Sequence, residues 1–273
     1  MNDEIQTIIK NAIFNLIDNT TSKEKFDLIS KKHINKIHFI PIKYRILGGL
    51  LQSLNIQFGN YIEVLFKLLT ENEKHLKLYD DISGFKNILL KYSNETDNVI
   101  DNYITACQNP ENKDNLLDRF EDLINTIIIN EKNNQASTMI ESKHDIDLIF
   151  KDLRTDIIYY IEIKYNDDHD TGKFIDINRK FIKTYAGIIN KFGIYDKTKL
   201  KPILYYFNNK IMKGNIYLPE SYYILRGNGL FKSLFTITYE EIDYELKRIS
   251  NDDEILKLFD DLYNKIRYDI WII

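Results

Sequence analysis

Apolar positions recur at helical spacing through the first half of the chain. Ile5, Ile8, Ile9, Ile13 and Leu16 form one stripe over residues 3–17. Pro41 suits the first turn of a helix, and Tyr44 to Leu69 continues it with Ile46, Leu50, Leu54, Phe58, Ile62, Leu65 and Phe66. Gly48 and Gly49 inside that stripe predict a kink or the close approach of another element. Residues 87–108 and 114–129 read as two further amphipathic helices, parted by Asn109-Pro110-Glu111-Asn112. The polar stretch 131–138 reads as a loop.

Beyond it the pattern changes. His144 to Phe150 and Ile158 to Lys164 are rich in β-branched and aromatic residues and read as two strands, with Asp152 to Thr155 as a polar turn between them. Asp176 to Phe192 reads as a helix ended by Gly193. Ile203 to Phe207, bounded by Pro202 and Asn208-Asn209, suits a buried central strand. Ile216 to Leu218 and Ser221 to Leu225 are weaker strand patterns. Thr238-Tyr239-Glu240-Glu241 is a capping-box start. Asn251 to Glu254 opens a last helix presenting Ile255, Leu258, Phe259, Leu262 and Ile266, and the apolar end Trp271-Ile272-Ile273 is expected to dock on the body. The order predicts an α/β fold, a mixed sheet flanked by helices with a large N-terminal helical region. No composition break divides it, so one domain is expected over 1–273: a helical region 1–130, a core 131–235 and C-terminal helices 238–273.

Composition changes little in this picture. Nineteen Tyr, 15 Phe and one Trp in 273 residues supply a sizeable core. The single cysteine, Cys107, excludes an internal disulfide and lacks a catalytic context. The acidic N-terminus is unlike a signal peptide, and the apolar runs are too short to span a bilayer. A soluble cytoplasmic protein with no membrane partner is expected. The net charge of −4 does not suggest a nucleic-acid binder, but charge is unevenly placed. Residues 172–201 hold eight Lys or Arg against Asp176 and Asp196, and phosphate binding responds to local potential. Charge runs of this kind also cover solvated helix faces.

The chemistry concentrates on the two strands. Period-two alternation puts Asp145, Asp147 and Ile149 on one face, and Tyr160, Glu162 and Lys164 on one face of the other strand. Paired as a hairpin, the strands bring carboxylates and an ammonium together, while Tyr159, Ile161 and Ile163 turn into a core. Such groups on apolar strands are costly unless paired or bound to a cation. Carboxylate oxygens suit a hard divalent ion, and a lysine beside them can polarise a water. Asp167, Asp168, His169 and Asp170 read as a turn or a substrate-contacting loop. The five histidines have no helical i, i+4 partner for zinc, and there is no phosphate-binding loop or hydrolase elbow.

Asp147 with Glu162-Ile163-Lys164 resembles the PD-(D/E)XK nuclease signature. The following run, Tyr165 to Phe174, resembles type II restriction endonucleases of the HinfI and TdeIII kind. Gln52 to Glu63 is similar to the glutamate-bearing helix ahead of the core in many of them. The chain departs at the motif's proline, where it has His144, which leaves Asp145 and Asp147 both open as the metal ligand. The resemblance implies Mg2+ held by Asp147, Glu162 and the Ile163 carbonyl. It gives Lys164 the attacking water, and brings Glu63 to the same site. It implies cleavage of double-stranded DNA at a short, interrupted palindrome by a homodimer, with a cognate DNA methyltransferase as functional partner. Asn166, Asp168 and His169 would read bases, and Lys173, Arg179, Lys180 and Lys183 would hold phosphates. A nuclease with a repair or junction-resolving role and a non-catalytic DNA-binding module are the alternatives. Recognition sequence, cut position, metal number and dimer interface stay open.

Overall fold

In a computed structural model, which describes residues 3–34, 36–109, 115–133, 138–213 and 216–269, the chain forms two compact units. One comprises residues 1–65 and 237–273, the other 66–236.

The first unit is helical. It contains α1 (Asp3–Thr21), α2 (Lys23–Ile34), most of α3 (Ile42–Asn72), and two late helices that follow below. Ile29 of α2 and Ile46 and Leu50 of α3 are buried in one cluster with Leu262 and Ile266. Gly49 is the close-approach glycine: a Cβ there would lie 2.9 Å from Ile29 and 3.0 Å from His33, so α2 rests directly on the α3 backbone. Gly48 faces open space.

The second unit carries the sheet. Its elements are β1 (Leu76–Leu78), β2 (Ile88–Ser93), α4 (Asn94–Cys107), α5 (Leu116–Lys132), β3 (Met139–His144), β4 (Leu148–Asp152), β5 (Ile157–Lys164), α6 (Thr171–Phe192), β6 (Leu200–Tyr206), β7 (Ile224–Arg226) and α7 (Asn228–Leu234). The late helices of the first unit are α8 (Tyr239–Ser250) and α9 (Asp253–Asp269). The mixed sheet has the order β1-β4-β5-β6-β7, with β1, β4 and β5 antiparallel and β5, β6 and β7 parallel. β2 and β3 pair apart from it as an antiparallel ribbon. The parallel crossover from β5 to β6 is made by α6, whose apolar face packs on Tyr160, Leu200 and Leu204.

Several elements differ from the sequence reading. Residues 87–108 are not one helix: Ile88–Ser93 is strand β2, and Ser93 then caps α4 by accepting from the Thr96 backbone N–H. The apolar spacing there fits both periods, and pairing with β3 decides it. The strand expected over 144–150 is broken: β3 ends at His144, β4 starts at Leu148, and residues 145–147 between them belong to neither. Both faces of β5 are covered, so Tyr160 is as fully buried as Ile161, whereas Tyr159 is only half-buried. α6 starts five residues before Asp176, because Asp170 accepts from the Lys173 backbone N–H as its cap. Gly193, at a φ of 63°, ends it as expected. β6 runs through Pro202, and of the two weaker strand patterns only Ile224–Arg226 forms a strand. The Thr238–Glu241 capping box is present. Residues 134–137 of the 131–138 loop, and the Trp271–Ile273 end, lie outside the described residues. Among the described residues no helix is long and apolar enough to cross a membrane.

Candidate active site

The site grows out of the β4–β5 hairpin. Its turn is closed by Asp152, whose carboxylate accepts from the Arg154 backbone N–H at 2.9 Å, and by Asp156 at a φ of 61°. The register sets Leu148 against Ile161 and Ile149 against Tyr160. Continued one residue beyond β4, it sets Asp147 against Glu162. Asp147 Oδ2 accepts from the Ile163 N–H at 2.9 Å, a β5 donor that lies past the first residue of β4, Leu148. The carboxylate thus replaces the strand partner that has run out.

Lys164 completes the group. Its Nζ lies 2.7 Å from Glu162 Oε1, 3.1 Å from Asp147 Oδ2 and 2.8 Å from the Ile163 carbonyl oxygen. Two oxygens of β5 and one of Asp147, just ahead of β4, therefore converge on a single cation. Glu162 Oε2 accepts from the Tyr160 hydroxyl at 3.0 Å, which fixes the carboxylate from its other side. Asp147 Oδ1 faces Lys86 Nζ at 3.7 Å. Asp147 is 3% exposed and Glu162 9%, so both charges are held largely out of water.

Electrostatics follow from that burial. Burial raises the Glu162 carboxyl above the ordinary range, and Asp147 adds to it, against the pull of Lys164. Burial alone would lower the Lys164 ammonium, but Glu162 and Asp147 outweigh it and hold its pKa above the usual lysine value. Behind the site, His144 is buried between Ser142 (2.6 Å from Nε2) and Thr184 (2.8 Å from Nδ1). Burial pulls its pKa down to about 4, with Lys180 contributing, so the ring is neutral at ordinary pH. Thr184 in turn donates to the Lys180 carbonyl at 2.7 Å.

The structure thus brings Asp147, Glu162, Ile163 and Lys164 together. Asp145 makes different contacts: Asn87 N–H donates to it at 2.9 Å and Lys180 Nζ lies 3.2 Å away. Glu63 is half-buried on α3 in the helical unit. Beyond β5, Asn166 accepts from the Asp168 N–H, Asp168 is exposed and His169 is half-buried. Asp167 is fully buried and bonded to backbone, which removes it from the residues offering base-edge groups. Arg179 pairs with Asp101 and Asp176, and Lys183 with Asp97 and Asp101. Lys173 is exposed and in no ion pair among the described residues. Sequence reasoning missed Lys86 and Thr184, which lie far away in the chain. Tyr160 carried a signal, its i, i+2 relation to Glu162 on a strand.

No group of three or more His, Cys, Asp or Glu side chains forms a metal site among the described residues. An all-oxygen set of two carboxylates and one carbonyl already gathered around a positive charge nevertheless fits a hard divalent cation. The model of the type II restriction endonuclease HinfI family matches residues 1–250. Over 266 residues the chain is 45% identical to the type II restriction enzyme HinfI of Haemophilus influenzae, covering 97% of this chain and 98% of that one. No solved structure matches it.

Proposed function

The chain belongs to the HinfI family of type II restriction endonucleases and is a site-specific deoxyribonuclease, and from that premise we propose that it cuts double-stranded DNA with Mg2+ at Asp147, Glu162 and Lys164. The observation that carries this reading is the convergence of Asp147 Oδ2, Glu162 Oε1 and the Ile163 carbonyl on one cation.

The ion would be held by Asp147, Glu162 and the Ile163 carbonyl, and when bound it supplies charge stabilisation at the scissile phosphate. The protein's part follows from its own groups. Tyr160 and the Ile163 N–H keep the two carboxylates in fixed rotamers, so little reorganisation is needed. Lys164, kept protonated by its neighbours, acts as a donor: it orients the attacking water and neutralises charge building on the phosphate. Asn166, Asp168, His169, Lys173 and Lys180 face DNA beside this strand end, and Asp145 serves by holding Lys180. The target is a short, interrupted palindrome. One such site per chain calls for a homodimer with a twofold axis, and the exposed Leu51, Ile56 and Val64 of α3 offer it an apolar surface. The enzyme works in the cytoplasm beside a cognate DNA methyltransferase that protects the host's sites.

Digestion of plasmid DNA by the purified protein with magnesium, followed by sequencing of the ends, tests this. Fragments with one common end sequence are expected. A Glu162→Ala variant that still cuts would overturn the assignment.

A further inference from the structure

We infer that the segment from Asn208 to Lys213, which follows β6, is a DNA-contacting arm: Lys210 and Lys213 engage backbone phosphates, and Ile211 and Met212 between them touch the groove. This rests on the reading above in one respect, that the end of β5 is where DNA is cut.

The first support is position. β5 and β6 are parallel, so their C-terminal ends share one edge of the sheet. Phe207 N–H donates to the Lys164 carbonyl at 2.8 Å and Asn208 N–H to the Tyr165 carbonyl at 2.9 Å. The segment therefore leaves the sheet next to Lys164.

The second is what the segment presents. Ile211 is 57% exposed and Met212 44%. Lys210 and Lys213 are exposed, and neither ammonium is in an ion pair among the described residues. On α6, by contrast, Arg179, Lys180 and Lys183 are each matched by a carboxylate.

The third is the platform beneath. Asp167, 0% exposed, accepts from the Met212 N–H at 2.9 Å and the Lys213 N–H at 3.1 Å. Arg226 binds the same carboxylate at 3.1 Å, is held by Glu220 at 2.8 Å, and lies over the Tyr206 ring at 4.6 Å. Its other nitrogen reaches the Lys210 carbonyl at 3.4 Å. Asn209 packs on Gly227, where a Cβ would sit 1.9 Å from its Oδ1. A buried ion pair contributes little net stability, because desolvation offsets its attraction. What this one does is hold the backbone of exposed side chains in one shape. A surface ordered before it binds loses less entropy when it does.

The test measures binding without cleavage. Wild type and the exposed double variant Lys210→Ala/Lys213→Ala are titrated in calcium at rising KCl. One duplex carries the mapped cut site and a second has one base pair of it changed. The double variant is expected to weaken binding to both duplexes alike and to flatten log Kd against log[KCl] by about 2, near 0.9 per phosphate contact. Asp167→Asn, which keeps the lysines and loosens their platform, should bind the cognate duplex about tenfold more weakly with less discrimination. An unchanged salt slope in the double variant overturns the proposal. So does a change in its sedimentation coefficient without DNA, which would make the segment a protein interface. Because the slope is read without cleavage, it stands or falls separately from an active Glu162→Ala, which would displace the catalytic reading instead.

Discussion

Replacing Lys164 with Met removes the one cation shared by Glu162 and Asp147 and keeps most of the side chain's volume. Two largely buried carboxylates are then left facing each other. Breaking a buried pair by deleting one partner costs about 3–5 kcal/mol. Lys164 is 24% exposed, which argues for the lower end, about 3 kcal/mol. For a unit of this size that lowers Tm by about 6–12 °C. The pH dependence has a definite sign. Burial and Asp147 raise the Glu162 pKa while Lys164 opposes them, so the variant raises it further. A raised folded-state pKa means the folded protein holds that proton more tightly. The associated stability is present at low pH and lost as pH rises through the folded value. The gap to wild type should be widest near about pH 8 and shrink towards about pH 5. Calcium should narrow it at high pH: a ligand at about 100 times its Kd adds about 2.7 kcal/mol. Thermal melts of both proteins at the two pH values, with and without calcium, read all of this. A Tm gap that is the same at both pH values and indifferent to calcium would refute the electrostatic account.

Three further outcomes are expected. Asp147→Ala should lose cutting while its melting curve stays close to wild type, whereas Asp145→Asn should keep cutting; plasmid digestion that ranks them the other way makes Asp145 the ligand. Tyr160→Phe removes a hydrogen bond to a charged group and should slow single-turnover cleavage about tenfold while shifting the magnesium concentration for half-maximal rate upward; an unshifted magnesium curve would reduce Tyr160 to a packing residue. Thr238→Ala breaks the α8 capping box and should cost about 1 kcal/mol in urea unfolding without altering the cleavage rate.

The convergence of Asp147, Glu162 and Lys164 was legible because it is local. Glu162 and Lys164 sit on, and Asp147 immediately precedes, a hairpin whose strand periods and polar turn are both written in the sequence. The HinfI resemblance and the mixed sheet with its helical N-terminal region likewise agree with the family and the architecture. The break at residues 145–147 was not legible, since a strand that changes partners keeps its alternation. Nor was β2, whose identity depends on pairing with β3 some fifty residues away. The pairing of Arg179 and Lys183 with acids of α4 escaped for the same reason: a basic run shows its charge but not what faces it. Asp167 looked like one of several loop acids, and only its buried backbone contacts set it apart.

The break between β3 and β4 has a consequence for the order in which the protein becomes an enzyme. Residues 145–147 are held by the segment around Phe85: Ile146 N–H donates to Phe85 O, Gly84 N–H to Ile146 O, and Asn87 N–H to Asp145. The hairpin that carries Glu162 and Lys164 closes over a short turn, which loop-closure entropy favours early. The brace that sets the backbone of Asp147 joins residues 58 apart in the chain, and the parallel pairing of β5 with β6 waits for all of α6. Folding intermediates with the hairpin formed would therefore hold two of the three charged groups in register and lack the third. The three charged groups thus come together with the last long-range contacts rather than with the first local ones.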